Sequence, residues 1–421
     1  MLINVLVVGA GGREHALSWK LSTSDKIDQV YTAPGNGGTS QNIELSVNDI
    51  EGLAKFAQEK NCFTVVGPED PLAAGIVDVF IEKGLPVFGP TKNAAKLESS
   101  KIWAKEFMKR NSIPTADFEI FDDAQKAKDF VKSYEKPVVI KADGLAAGKG
   151  VIVCKNKDEA NDAIDTILTK KSFGDAGSKI IIEERIDGVE ASYIALCDGK
   201  IGIPMATSQD HKRIFDNDEG PNTGGMGAYS PTPIIDEKLA SEIQEKIIDK
   251  TINAMHNEGV DFRGFLYAGI MIKDGTPYVL EYNVRMGDPE CQPILMRLDS
   301  DLYDYLYASS EGKLNELPEL SWKNQHSVCV VLASKGYPSS YPTGDEISGF
   351  ENIPSNAFIF HAGTKKQDGK IISNGGRVLG ITALGSSLQD AINNAYDACS
   401  SITWINKYHR SDIGKKGLSN L

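Results

Sequence analysis

The chain is short of positive charge. Its 421 residues carry 45 Lys and Arg against 58 Asp and Glu, a formal charge of −13. That argues against nucleic-acid binding, whose usual footprint is a basic excess or stripe, but leaves room for a local basic pocket for phosphates. Histidine and cysteine are sparse, six of each. Cys62, Cys154, Cys197, Cys291, Cys329 and Cys399 are scattered, mostly beside apolar residues, and no pair has metal-ligand or redox spacing. They read as reduced thiols of a cytoplasmic protein, and a His/Cys zinc site is not expected. No segment approaches the length of a membrane span. The N-terminus runs M-L-I-N-V-L-V-V straight into Gly9, with no basic lead and too short an apolar run for a signal peptide. The expectation is a soluble chain with neither membrane nor nucleic acid as partner. A 41% hydrophobic content suits sizeable cores, and the length sets a prior of about three domains.

The stretch 137–154 reads P-V-V-I-K-A-D-G-L-A-A-G-K-G-V-I-V-C. Two β-prone runs, 138–140 and 151–153, flank a loop containing Gly144, Gly148 and Gly150, with Lys141 and Lys149 at its ends. Glycine lets backbone N–H groups turn toward an anion with no Cβ in the way, and the lysines add charge. A lid over a polyphosphate needs these features. It is not a Walker loop: three residues rather than four separate Gly144 from Gly148, Gly150 follows Lys149, and the run is strand to strand. An ordinary hairpin with incidental lysines would carry the same residues.

Residues 2–8 predict a buried strand, followed by G-A-G-G-R-E-H and an apolar-periodic helix at 16–21. Strand, glycine turn and helix make a phosphate site, because the helix N-terminus presents free N–H groups and positive dipole. A dinucleotide fingerprint fails, since the third glycine would fall at Glu14 and residues 29–33, Q-V-Y-T-A, lack the expected acid. Gly11, Gly12 and the forked donor Arg13 are the candidate phosphate ligands; a tight turn with a surface arginine is the alternative. A strand at 63–66 ends in G-P-E-D-P. Glu69 and Asp70 could accept hydrogen bonds from sugar hydroxyls or an amine, or simply cap the next helix. The alternation is a parallel βαβ pattern, whose ligands sit at the carboxyl ends of strands. Residues 91–110 predict one lysine-rich helix, mostly a solvated face, with Lys101 standing after S-S.

Residues 179–184, K-I-I-I-E-E, predict a short buried strand ending in Glu183 and Glu184. R-I-D-G-V-E follows, carrying Ile186 and Glu190. Acids there suit adenine N6 and ribose hydroxyls, or an exposed hairpin end. Residues 208–231 predict a polar loop far longer than the usual connection. It carries Asp210, Lys212 and P-N-T-G-G-M-G, and is either functional or disordered. An antiparallel pair at 264–272 and 277–282 runs into E-Y-N-V-R-M-G-D-P-E. Glu281 and Asn283, two apart on a strand, face one side and suit a Mg²⁺ that also binds nucleotide phosphates. Arg285 continues that face. An amphipathic edge strand alternates likewise. Beyond 325, short strands and a helix at 388–402 predict a small α+β unit whose motifs hold nothing catalytic.

A lysine-bearing glycine hairpin, a strand ending in Glu-Glu and a strand ending in Glu-x-Asn, in that order, resembles the ATP-grasp superfamily. Within it the chain is similar to the glycinamide ribonucleotide synthetase family. The resemblance covers essentially the whole chain through segments 9–17, 67–75, 141–151, 210–231 and 285–292. P-N-T-G-G-M-G-A-Y-S-P and R-M-G-D-P-E-C-Q are its most specific motifs. Met286 stands where Leu or Phe is usual, a swap of similar volume. Residues 266–270, L-Y-A-G-I, offer no additional metal carboxylate, as in this family.

The resemblance implies an α/β and α+β multidomain fold. It has an N-terminal open parallel βαβ unit at 1–100, a central ATP-grasp fold at 101–312 with a lid at about 122–190, and a C-terminal α+β unit at 325–421. It further implies that ATP with Mg²⁺ or Mn²⁺ phosphorylates glycine, and that the amine of 5-phosphoribosylamine displaces the phosphate. Such transfer needs positioning and charge neutralisation rather than a protein nucleophile.

The implied roles are as follows. Lys101 and Lys141 contact the ATP phosphates under a lid of Gly144, Gly148, Lys149 and Gly150. Glu183, Glu184 and Ile186 border adenine, and Glu190 holds the ribose. Glu281 and Asn283 bind the metal. Arg285, Lys212 and Asp210, with Asn222, Thr223, Gly224 and Gly225, hold glycine and the transferring phosphate. Gly11, Gly12, Arg13, Glu69 and Asp70 hold phosphoribosylamine, Arg13 touching only its phosphate. A transient contact with the enzyme that makes phosphoribosylamine is also implied. An ATP-grasp carboxylase and a non-catalytic nucleotide sensor are the other readings. The 222–227 and 285–290 segments argue against the first, and the joint presence of Lys141, Glu281, Asn283 and Arg285 against the second.

Overall fold

The computed structural model describes residues 2–144, 150–172 and 174–419. Five parallel strands open the chain: Ile3–Gly9 (β1), Ile27–Pro34 (β2), Gln41–Asn42 (β3), Cys62–Val66 (β4) and Val87–Phe88 (β5), in the order β3-β2-β1-β4-β5. Val5 to Val8 are wholly buried, as in a strand covered on both faces. The order reverses between β1 and β4, and the Gly9 and Gly67 loops leave the sheet there, at the carboxyl ends where such sheets take ligands. Helix α1, Gly12–Leu21, follows β1. The Glu14 carboxylate folds back over the loops and accepts from Gly11 N–H at 2.6 Å. A Cβ on Gly9 would lie 2.3 Å from Glu14 Cγ, and one on Gly67 2.2 Å from Glu14 Oε1. These glycines make room for that carboxylate.

Alternate residues of β1 feed two cores. Leu6 and Val8 share one with Tyr193, Leu266 and Val279; Val5 and Val7 share the other with Leu196, Phe265 and Leu295. The first sheet is therefore packed on both faces against elements of the central unit. That unit holds two antiparallel sheets. One takes Phe118–Phe121, Ile180–Glu184, Val138–Ala142 and Val151–Val153 in that order, over a small core of its own that includes Ala127, Ile140 and Ile164. The other takes Gly202–Pro204, Val189–Asp198, Arg263–Lys273 and Thr276–Asn283. Among the described residues, no helix is long and apolar enough to cross a membrane.

Two expectations change. Residues 91–110 form two helices, Lys96–Ser99 and Lys101–Arg110, not one. Ser100 is extended between them, and its hydroxyl accepts from Trp103 N–H at 3.2 Å, an N-cap that restarts the helix at Lys101. Residues 208–231 are not simply a loop. Gln209–Asp210 and Gly227–Ser230 are strands of the C-terminal sheet, beside His326–Ser334, Arg377–Gly385 and Ala357–His361, while Arg213–Phe215 and Glu219–Asn222 form a hairpin. The C-terminal sheet thus begins more than a hundred residues before 325. Met226 and Tyr229 are fully buried in its core, but four-residue strands paired with partners far along the chain leave almost no periodic signal.

The C-terminal unit also closes on α1. His15 Nδ1 accepts from His361 N–H at 2.8 Å, and Asn36 donates to His361 O at 2.8 Å. Burial pushes His15 down to about 3, with a further push from His361, and pushes His361 down to about 4. Both folded values lie below the unfolded value near 6.5. The unfolded chain therefore takes up protons first as pH falls, and these groups contribute stability above about pH 6.5 that is lost between there and about pH 4. His15→Gln is expected to flatten the fall in melting temperature between pH 7 and pH 5 relative to the unsubstituted chain. Each histidine contributes at most about 1.4 kcal/mol per pH unit in that window. Parallel pH profiles would refute the assignment.

Candidate active site

A cavity of about 840 Å³ lies where the three units meet. At one end stand Lys141 and Glu183, on neighbouring antiparallel strands in which Val139 pairs with Glu183 and Lys141 with Ile181. Diagonal neighbours on one face come within side-chain reach. Glu183 Oε2 lies 3.0 Å from Lys141 Nζ and 3.0 Å from Lys105 Nζ. Lys141 also donates to Leu280 O at 2.9 Å, and Lys105 to Thr115 Oγ1 at 2.6 Å. Two buried lysines thus share one carboxylate, whose Oε1 has no partner. Burial pushes Lys105 down to about 8 although Glu183 pulls the other way. The helical spacing had placed Lys105 on a solvated face, and only packing brings it inside. Ile186 and Glu184 line the same end, Glu184 paired with Lys136 at 2.6 Å. Lys101 Nζ reaches Gly144 O at 3.3 Å, and Gly150 is on the cavity wall. Gly148 and Lys149 lie outside the described residues.

Glu281 and Asn283 both line the cavity, while Tyr282 between them is buried. Burial pushes the Glu281 carboxyl up, but Lys101, Lys212, Lys141 and Arg285 outweigh it and hold it below the usual range. Asn283 Oδ1 accepts from Arg285 Nη2 at 3.0 Å. No cluster of three or more His, Cys, Asp or Glu among the described residues could hold a metal. One carboxylate and one amide oxygen on one face fit Mg²⁺, which takes few protein ligands and completes its shell with phosphates and water.

Arg285 is engaged rather than free. Its Nη2 is 2.7 Å from Glu98 Oε1 and its Nε 3.2 Å from Glu69 Oε2. Glu69 therefore faces two guanidinium groups, Arg285 and, at 3.9 Å, Arg13. Burial pushes Glu69 up, and these arginines bring it down to about 2. Glu98 had no signal in the sequence, since it sits among lysines in a helix that reads as solvated.

The set expected to hold phosphoribosylamine is divided, Arg13 and Glu69 lining the cavity and Gly11, Gly12 and Asp70 not. Asp70 is exposed in the first turn of Glu69–Ala74 and outside the cavity, where its carboxylate favours the helix dipole. Gly11 and Gly12 do not line the cavity either. The Asp288 carboxylate lies over the N-terminus of α1, 3.5 Å from Arg13 N, and a Cβ on Gly12 would come 2.5 Å from Gln292 Nε2. A protein carboxylate answers the dipole that sequence reserves for a phosphate. Arg13 does line the cavity, but Nε is bound to Glu14 at 2.5 Å and Nη1 to Met286 O at 3.1 Å. It joins the first unit to the central one and cannot serve the ribose phosphate alone.

Asp210 and Lys212 face the cavity from the other side, and Lys212 Nζ is 2.8 Å from Glu190 Oε2. Burial pushes Asp210 up to about 7; Lys212 opposes this, and Glu290 and Glu190 add to it. Thr223 N–H donates to Lys212 O at 2.8 Å. The C-terminal unit grips Gly224: Arg377 Nη1 donates to its carbonyl at 2.7 Å, and its N–H donates to Tyr337 OH at 3.0 Å. Arg377 Nη2 is 3.5 Å from Asp288. The C-terminal unit, whose motifs hold nothing catalytic, reaches the cavity wall through Tyr337 and Arg377. Its contributors stand in no motif.

A lysine-bearing sheet facing a sheet that ends in Glu281 and Asn283, across a cavity of nucleotide size, defines an ATP-grasp enzyme, a class that uses ATP. Family models described as the N domain, the ATP-grasp (A) domain and the C domain of phosphoribosylglycinamide synthetase match residues 3–98, 99–291 and 327–416. The phosphoribosylamine–glycine ligase of Vibrio parahaemolyticus is 50% identical over 425 residues, covering 99% of both chains. That of Ralstonia nicotianae is 50% identical over 421 residues, covering 99% of this chain and all of its own. The crystal structure of the Thermotoga maritima phosphoribosylamine–glycine ligase superposes with a TM-score of 0.84 at 34% identity, covering 97% of this chain and 100% of that one. Biotin carboxylase from Campylobacter jejuni shares the fold, with a TM-score of 0.71 at 17% identity over 97% of this chain and 93% of its own. The chain belongs to the phosphoribosylglycinamide synthetase family.

The shared carboxylate makes a stability contrast. Glu183→Gln leaves two buried lysines without a counter-charge and is expected to cost about 3–5 kcal/mol. Lys105→Met keeps the volume, leaves one lysine per carboxylate, and is expected to cost less than about 1.5 kcal/mol. Denaturant unfolding of the two variants checks this; equal losses would refute it.

Proposed function

We propose that this chain joins glycine to 5-phosphoribosylamine, converting ATP to ADP and phosphate and yielding glycinamide ribonucleotide in purine biosynthesis. The family match across all three units carries this reading, together with the activity named for relatives about half identical over their full length.

ATP enters with its base against Ile186 and the strand end at Glu183 and Glu184. Lys101 and Lys141 receive its phosphates, and Glu190 the ribose. Glu281 and Asn283 would hold Mg²⁺ or Mn²⁺, which would supply positive charge to neutralise the phosphates. The glycine carboxylate, placed by Arg285, Lys212 and the 222–225 loop, attacks the γ-phosphorus in line, and ADP leaves. The resulting glycyl phosphate is attacked at its carbonyl carbon by the amine of phosphoribosylamine, and phosphate leaves. No protein nucleophile is required, only positioning and charge. Of the residues expected to hold phosphoribosylamine, Arg13 and Glu69 are the two that face the cavity. A transient contact with the enzyme that supplies this labile amine is part of the proposal.

ADP release tests the reading. It is expected to be slow with glycine alone and fast when phosphoribosylamine is formed in the same tube from ribose 5-phosphate and ammonia. Bicarbonate or formate in place of glycine should give background only. Turnover with bicarbonate and none with glycine would favour a carboxylase instead.

Glu281→Gln removes the one full negative charge assigned to the metal while nearly keeping the side-chain volume. Activity is expected to shift toward higher Mg²⁺ or Mn²⁺. A metal titration that overlays that of the unsubstituted chain would discard Glu281 as a ligand.

A further inference from the structure

Glu290 closes R-M-G-D-P-E and stands in the cavity wall, 3% exposed. Two strands aim hydroxyls at it. In their antiparallel register Ser192 pairs with Gly269 and Ile194 with Tyr267, which puts Ser192 and Tyr267 diagonally on one face. Glu290 Oε1 accepts from Tyr267 OH at 2.6 Å and from Ser192 Oγ at 3.1 Å, and the two hydroxyls lie 2.8 Å apart. Oε2 has neither hydrogen bond nor ion pair among the described residues. The two hydroxyl donors fix the direction of the carboxyl group. A carboxylate buried to this degree and left without a counter-ion is costly unless something else completes it.

Asp210 shares the space. It too lines the cavity, with no ion pair of its own among the described residues, and burial, Glu290 and Glu190 drive its carboxyl up despite Lys212. The nearest cation, Lys212, is paired with Glu190. Lys416, a smaller pull on Asp210, is paired with Asp218. Glu190 and Asp210 thus face Lys212, and Glu290 faces Asp210. The place between Asp210 and Glu290 suits a small cation that arrives with the substrate.

We propose that Glu290 and Asp210 form the subsite for the α-ammonium of the amino-acid substrate, with Tyr267 and Ser192 as the residues that position Glu290. This rests on the reading that the acid activated is glycine. The carboxylate of glycine then points away from this pair, toward Arg285 and the phosphates. The subsite also protects the reaction. An amine kept protonated between two carboxylates has no lone pair with which to attack an acyl phosphate, so the amine of glycine does not compete with that of phosphoribosylamine.

Glycolate tests the subsite, because it has the size and carboxylate of glycine but no ammonium. KM for glycine is measured from ADP release, and glycolate is titrated as a competitor. Glu290→Gln is nearly isosteric and keeps an oxygen for Tyr267 and Ser192. It is expected to raise KM for glycine by about 10- to 100-fold, the range of a charge-assisted hydrogen bond. The inhibition constant of glycolate should change far less than KM for glycine, because its neutral hydroxyl brings no charge for Glu290 to balance, and KM for ATP should stay within about twofold, since ATP does not meet Glu290. Tyr267→Phe keeps the ring and is expected to act in the same direction by about 3- to 10-fold, the range of a neutral hydrogen bond. Equal weakening of glycine and glycolate, or no change in either, overturns the subsite even when the unsubstituted enzyme uses glycine normally. An unsubstituted enzyme whose ADP release ignores glycine overturns the functional reading beneath it.

Discussion

A chain of buried charges holds the three units around one cavity. Glu98 binds Arg285, Arg285 binds Glu69, and Glu69 faces Arg13. Arg13 N–H meets Asp288, and Asp288 faces Arg377. The path runs from the first unit across the floor of the ATP-grasp unit into the C-terminal one. Buried charges persist only when paired, and removing one partner strands the other. Each link therefore constrains the next, and the cavity is defined where they meet. Arg377 extends the constraint to the loop through the Gly224 carbonyl.

Charge within the cavity is unevenly distributed, and the unevenness matches the proposed chemistry. Lys105 and Lys141 share the single carboxylate Glu183 at the end assigned to ATP. At the other end Glu190 and Asp210 face Lys212, and Glu290 faces Asp210. A polyphosphate relieves the first surplus and an ammonium the second. Glu281, held ionised by the lysines and Arg285, stands between them, where a divalent cation would meet both. The apolar packing follows the same division. The first sheet shares its cores with the palm-like sheet beneath the site, whereas the lysine-bearing sheet has a core of its own.

What the sequence determined was local. The apolar run of β1, the strand ending at Glu281 and Asn283, and the hairpin carrying Lys141 were legible because side-chain direction on a strand follows from a period of two. The order of these motifs was enough to identify the superfamily, and that identification extended to residues no periodicity singles out. Tertiary structure decided which group each charge meets. It set Asp288 over the N-terminus of α1, turned Asp70 to solvent and drew Glu98 and Lys105 inside. It also joined Gln209–Asp210 and Gly227–Ser230 to strands that begin at residue 326. Glu290 became visible only through hydroxyls that two other strands bring to it. Periodicity records which face of an element is covered; it carries no record of what covers it, because the covering residue is chosen by packing between segments far apart in the chain.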